Sequence, residues 1–196
     1  MTMFARIAPS LLGTVVLIAS AALPALALAA PAKWTVNMGA SKLAFASSYG
    51  GTAFNGSFGK WSADILFDPA QLPASSIKVS VDPASAQTGD SDRDSSLPED
   101  EWFSVKKFPA ATFVSTKITA AGPGRYAAAG NLTMRGVTRP ATLNFTLKIT
   151  GNTADATGNL VLNRSQFGVG QGQFKGGETV PLNVTVNTVI KATRAK

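Results

Sequence analysis

Residues 141–149 read ATLNFTLKI, and every second residue is apolar. Ala141, Leu143, Phe145, Leu147 and Ile149 share one side; Thr142, Asn144, Thr146 and Lys148 share the other. Side chains alternate across a strand but recur every 3.6 residues on a helix, so this pattern can bury one face only as a β-strand. VPLNVTVNTVI repeats it, with Val180, Leu182, Val184 and Val186 set against Asn183, Thr185 and Asn187. IKVSV (Ile77, Val79, Val81), ADILFD and ATFVSTKI are shorter cases. Strands with one apolar and one polar face belong to antiparallel sheet.

Turn chemistry separates these runs at short intervals: YGG at 49–51, NG at 55–56, GPG at 122–124, RG at 135–136 and TGN at 150–152. Only the region around residues 94–107 offers a competing helix. The reading is roughly eight to ten strands in a meander, and such a sheet must close or stack to remove its open edges.

The first thirty residues form a separate object. Arg6 precedes a charge-free stretch that lasts until Lys33, LLGTVVLIASAAL is its apolar core, and ALALAAPA offers small-residue cleavage sites. That is the order of a secretory signal. The stretch is also long enough for an uncleaved membrane anchor, but Pro24 and the small-residue end favour cleavage near Ala30. The expectation is a signal peptide over 1–29, a single β-barrel domain over 30–196, and export to the periplasm.

Composition excludes whole classes of chemistry. The chain of 196 residues has no cysteine and no histidine, which removes disulfides, thiolate metal sites, Ser-His-Asp triads and imidazole bases. Its net charge is +7, yet the Lys and Arg are scattered rather than interleaved with aromatics. No nucleic-acid partner is expected; attraction to an anionic membrane surface or head group fits better.

Five segments, in order, resemble the YceI family of exported, lipocalin-like proteins. WTVNMGASKLAF looks like its first hairpin, with Trp34, Ser41 and Phe45 at matching places, and FNGSFGKWSADILFDPAQL is similar to its next stretch. DRDSSLPEDEWFSVKKFPAATFVS, GNLTMRGVTRPATL and NRSQFGVG complete the set, covering about residues 33 to 192. The resemblance implies an all-β, antiparallel lipocalin-like barrel of about eight strands with a short helix or lid. It also implies a long isoprenoid chain inside, such as a polyprenyl phosphate or a ubiquinone tail. Each exposed methylene costs about 0.8 kcal/mol in water, so such a chain needs a shield to cross an aqueous compartment. The sequence looks closer to the branch found beside cytochrome b561-like membrane proteins, which implies an inner-membrane partner of that kind. It departs from the family where many members carry histidine; Ala40 and Ser96 stand there, so no role for histidine carries over.

TGDSDRDSSLPEDEWF, residues 88–103, holds six of the eleven carboxylates. Asp90, Asp92, Asp94 and Glu101 have the spacing of a calcium loop, but Ser95 replaces its glycine and Pro98 occupies its ninth position. The alternative is a short helix capped by Asp92 or Asp94, with Arg93 pairing locally. Trp102, Phe103 and Phe108 would then fold over a barrel end. The lid is the preferred reading.

The expected function is therefore a non-enzymatic binding protein, with no catalytic or metal-ligating residues and no cofactor beyond the isoprenoid or quinone itself. Its expected lining is Phe45, Phe58, Ile65, Phe67, Val79, Phe113, Phe145 and Leu147, with Arg93, Trp102 and Phe103 near the mouth. Two alternatives stand beside it: a solid-core envelope interaction module, and an enzyme acting on a lipid or quinone. Oligomeric state is open, a dimer included.

Overall fold

The computed structural model describes residues 30–195; the expected signal peptide, 1–29, lies outside the described residues. In chain order the strands are β1 (Lys33–Val36), β2 (Lys42–Tyr49), β3 (Thr52–Phe58), β4 (Trp61–Leu66), β5 (Ser76–Val81) and β6 (Ala86–Gln87). A short helix α1 (Ser91–Ser96) follows. Then come β7 (Ala111–Ala120), β8 (Arg125–Met134), β9 (Val137–Thr150), β10 (Thr153–Asn163) and β11 (Asn183–Arg194).

These eleven segments make eight staves of a closed antiparallel barrel. β1 and β2 lie end to end along β11, and on their other side meet β4 and β3 respectively. β4 and β3 in turn meet β5 and β6. The first three staves are thus each broken once, whereas β7 to β11 run unbroken and pair in succession. Closure through β1 and β11 leaves that ring without a free edge.

Side chains repair the breaks. Between β1 and β2, the Ser41 hydroxyl accepts from the Lys191 amide at 2.9 Å and donates to the Lys191 carbonyl at 3.3 Å, a carbonyl that also accepts from the Asn37 amide at 2.8 Å. Between β3 and β4, the Lys60 amide donates to the Ser85 hydroxyl at 2.9 Å. A register shift lies between Ser115 and Lys117, and the Ser115 hydroxyl accepts from the Ile77 amide at 2.9 Å. Buried backbone donors need partners wherever they come from.

Two sequence expectations change here. Asn55–Gly56 is not a turn but lies inside β3, with Gly56 opposite Phe45. A Cβ on Gly56 would come within 2.2 Å of the Phe45 ring, so glycine marks a ring laid across the strand. The VPLNVTV strand starts at Asn183, with Val180 and Leu182 in the loop before it. In β9 the alternation of half-buried and exposed residues holds without a slip from Ala141 to Thr150.

One barrel end is filled. Trp34, Phe67, Ile77, Phe113, Ile118, Ala128, Ala154 and Ala192 form a buried cluster there. The Trp34 indole donates to the Phe67 carbonyl at 2.9 Å, and Phe67 meets Tyr126 edge-on at a 5.1 Å ring separation. A second cluster of Met134, Phe167 and Val169 lies towards the other end, with Trp102 and Phe103 packed against it.

Candidate functional site

Between the two clusters the barrel encloses a cavity of about 570 Å³. Its wall is overwhelmingly apolar, and all eleven residues expected from the sequence border it: Phe45, Phe58, Ile65, Phe67, Val79, Arg93, Trp102, Phe103, Phe113, Phe145 and Leu147. Leu43, Phe54, Leu97, Met134, Leu160, Phe174, Val184 and Ile190 also line it, and the sequence reading did not include them in the lining. For Val184 and Ile190 the alternation in β11 was an available signal. Phe174 and Leu97 sit in irregular segments, where periodicity carries no information.

Aromatic rings run from wall to cover: Phe45 and Phe58 have centroids 5.3 Å apart, and Phe58 and Phe103 are 6.1 Å apart. At the filled end Tyr126 stacks on Phe145 at 5.4 Å. Tyr49 both lines the cavity and is 47 % exposed, so the space meets solvent beside the β2–β3 hairpin and α1.

The acidic segment forms part of the cover over this end. Asp90, rather than Asp92 or Asp94, caps α1: its carboxylate accepts from the Arg93 amide at 3.0 Å. Asp92 and Asp94 lie in the first turn, where the backbone dipole favours negative charge. The helix spans six residues, shorter than the 94–107 stretch suggested, because Pro98 and a series of turns follow. Arg93 pairs with Asp90 at 3.5 Å, donates to Thr88 Oγ1 at 3.2 Å, and lies 4.5 Å from the centre of the Phe54 ring. Among the described residues no three carboxylates gather as a metal site.

Asp94 accepts from both the Thr88 hydroxyl and the Thr88 amide, each at 2.6 Å. The Thr88 hydroxyl bond is the main reason its carboxyl lies below the ordinary value of 3.8, against an opposing contribution from burial. A depressed folded-state pKa adds stability that is complete above 3.8 and is lost as pH falls through the lowered value. Thr88→Val is therefore expected to flatten the acid limb of a melting-temperature profile below about pH 4. An unchanged acid limb in the variant would contradict this assignment.

Arg164 is the residue the sequence reading passed over. It is 2 % exposed and has no carboxylate partner among the described residues. Its guanidinium donates instead to six backbone carbonyls: Pro181 at 3.0 Å, Val169 at 2.8 Å, Gly170 at 3.4 Å, Phe174 at 2.7 Å, Gly176 at 2.9 Å and Val180 at 2.6 Å. Burial lowers its pKa from the usual guanidinium value. Gly170 adopts φ +79°, and a Cβ there would reach within 2.0 Å of an Arg164 nitrogen. Only glycine meets both demands. The Arg-x-x-Phe-Gly motif is thus a knot that shapes the glycine-rich loop 168–182.

Further ties lock that loop to the rest of the cover. The Glu101 carbonyl accepts from the amides of Gly170 at 2.8 Å and Gln171 at 2.7 Å. Arg135 donates to the carbonyls of Trp102 and Gly168. The Gly50 amide at the β2–β3 tip donates to the Thr179 carbonyl at 2.9 Å.

The YceI-like domain model matches residues 34–192. The chain belongs to the YceI-like family. A UPF0312 protein of Pseudomonas syringae pv. tomato is 31% identical over 151 residues, covering 74% of this chain and 78% of that one. Among solved structures, BcnA of Burkholderia cenocepacia has a TM-score of 0.78 at 33% identity, covering 81% of this chain and all of that one. A polyisoprenoid binding domain from Saccharophagus degradans, implicated in plant cell wall breakdown, shares the fold with a TM-score of 0.62 at 15% identity. That alignment covers 84% of this chain and 99% of that domain. The match spans the eight staves, the acidic cover and the Arg164 knot alike.

Proposed function

We propose that this YceI-like protein is a non-enzymatic carrier that holds an isoprenoid chain, of polyprenyl phosphate or ubiquinone type, inside its barrel for transport, storage or protection. The observation that carries this is the cavity of about 570 Å³ with an apolar wall. Its size falls within the roughly 300–1,000 Å³ of small-molecule sites. Apolar wall left to water costs about 25 cal/mol for each Å² that a hydrocarbon guest would cover. A fold retains such a space for an occupant, and hydrocarbon suits this wall better than water does. This counts against a solid-core interaction module. The absence of histidine and cysteine from the chain counts against an enzyme.

The fold shared with a domain described as polyisoprenoid-binding supports the choice of guest. Export to the periplasm rests on the signal-like residues 1–29. Exchange with a cytochrome b561-like inner-membrane partner rests on the sequence resemblance alone. The test is native mass spectrometry of the exported protein, followed by lipid extraction. A stoichiometric polyprenyl or quinone adduct is expected. A bare mass that persists after incubation with both lipid types would sink the proposal.

A further inference from the structure

The cavity is open at one end and stopped at the other, so it has a length as well as a volume. Val184, Val186, Thr188, Ile190 and Ala192, the inward residues of β11, all border it. The steps from Val184 to Ala192 measure about 26 Å along the strand, or about 20 Å along the barrel axis at the usual strand tilt. At the Ala192 end the barrel is shut. Trp34 and Phe67, each 3 % exposed, and the half-buried Phe145 close the cavity there. Tyr126 does not border the cavity but backs both phenylalanine rings, at 5.1 Å from Phe67 and 5.4 Å from Phe145. The Trp34 indole is held by its bond to the Phe67 carbonyl, and the Arg194 guanidinium lies 5.4 Å from the centre of its ring. Beside these rings the wall residues are small. Ala154 and Ala192 stand opposite each other across the β10–β11 ladder, both buried and both on the cavity wall.

We infer that this floor is a chain-length stop, and that the barrel selects an isoprenoid tail of about five units, roughly twenty to thirty carbons, over shorter and longer ones. The inference rests on the carrier reading above. An isoprene unit puts four carbons into the chain, about 5 Å when extended, so about four units reach from mouth to floor. By volume, a unit takes up about 115 Å³ at the packing density of a protein interior, and about five units fill 570 Å³. Depth and volume therefore agree. A shorter tail leaves wall uncovered, and the surplus units of a longer tail stay outside in water; each loses burial that a matched tail gains. The two alanines set where the stop lies. Leucine in place of alanine adds three carbons, so leucines at both positions fill the space of about one isoprene unit.

The experiment offers the exported, delipidated protein an equimolar ladder of isoprenyl monophosphates, from two units to eleven, in detergent micelles. Native mass spectrometry then reads the adducts. The head is the same throughout, and the micelle shields every tail before binding, so the ladder reports the fit of the tail. The wild type is expected to peak between about four and six units, with the two-unit and eight-unit adducts at least about tenfold lower. The double variant Ala154→Leu, Ala192→Leu moves the peak down by about one unit. Should the double variant not fold, Ala154→Leu alone decides, by shifting weight from the longer to the shorter members of the peak. Val161→Leu, on the exposed outer face of β10, leaves the peak in place. A wild-type peak at eight units or more, a flat ladder, or a peak that the alanine variants leave where it was overturns the stop. If no member of the ladder binds the wild type, the carrier reading itself fails, and the stop with it.

Discussion

Phe145→Asp is expected to leave the protein without its lipid, with at least a hundredfold loss of affinity. Phe145 faces inward from the middle of β9, stacked on Tyr126 at 5.4 Å and edge-on to Phe67 at 5.9 Å. Phe145 is half-buried, so losing its ring costs less than the roughly 3–5 kcal/mol of a fully buried phenylalanine. A carboxylate there either stays charged without a partner or takes up a proton at a raised pKa, and both outcomes penalise an apolar guest. Lys148→Glu changes the exposed face of the same strand, where substitutions stay within about 0.5 kcal/mol; it should retain lipid. Because Phe145→Asp also weakens the fold, a companion is needed that fills the space without adding charge. Ala156 lines the cavity and pairs with Leu147, so Ala156→Trp should exclude lipid while leaving the barrel folded. Native mass spectrometry reads all three. Lipid retained in Phe145→Asp and Ala156→Trp alike would mean that the guest binds elsewhere.

Arg164→Met should produce the largest loss of stability among single changes at the covered end. Its guanidinium satisfies six carbonyls in a loop that has little other regular structure. Methionine keeps the apolar stem but leaves those acceptors to water that must enter the barrel end. Breaking a buried charged network of this kind costs about 3–5 kcal/mol, and at about 2–4 °C per kcal/mol the melting temperature should fall by roughly 10 °C. Arg164→Lys should rescue little, since an ammonium has three donors from a single point and cannot span the carbonyls from Pro181 to Gly176. Hydrogen exchange should quicken across residues 168–182 in both variants. A melting temperature within about 2 °C of wild type for Arg164→Met would mean that the ties at Glu101, Arg135 and Gly50 hold the loop unaided.

Much of the wall was legible because alternation is a local property. A strand's side chains point to opposite faces whatever the strand pairs with, so ATLNFTLKI and IKVSV announce their inward sets before any partner is known. Turn composition, by contrast, misled at Asn55–Gly56, where the glycine makes room for the Phe45 ring that crosses the strand. In the acidic stretch, composition correctly suggested a capped helix but not which aspartate caps it. Asp90, Asp92 and Asp94 are chemically equal, and only the path of the chain from β6 decides that Asp90 takes the extended cap conformation.

By itself, then, the sequence determined that this chain is an antiparallel β-protein with one apolar face per strand, and that it carries neither imidazole nor thiol chemistry. Whether those faces meet in a packed core or stand apart around a space depends on the number of staves and their stagger, which are properties of closure. Eight staves, three of them broken, hold the walls far enough apart to leave about 570 Å³. Arg164 belongs to the same category. A lone arginine in a sequence is ordinary, and only burial makes this one a six-carbonyl knot.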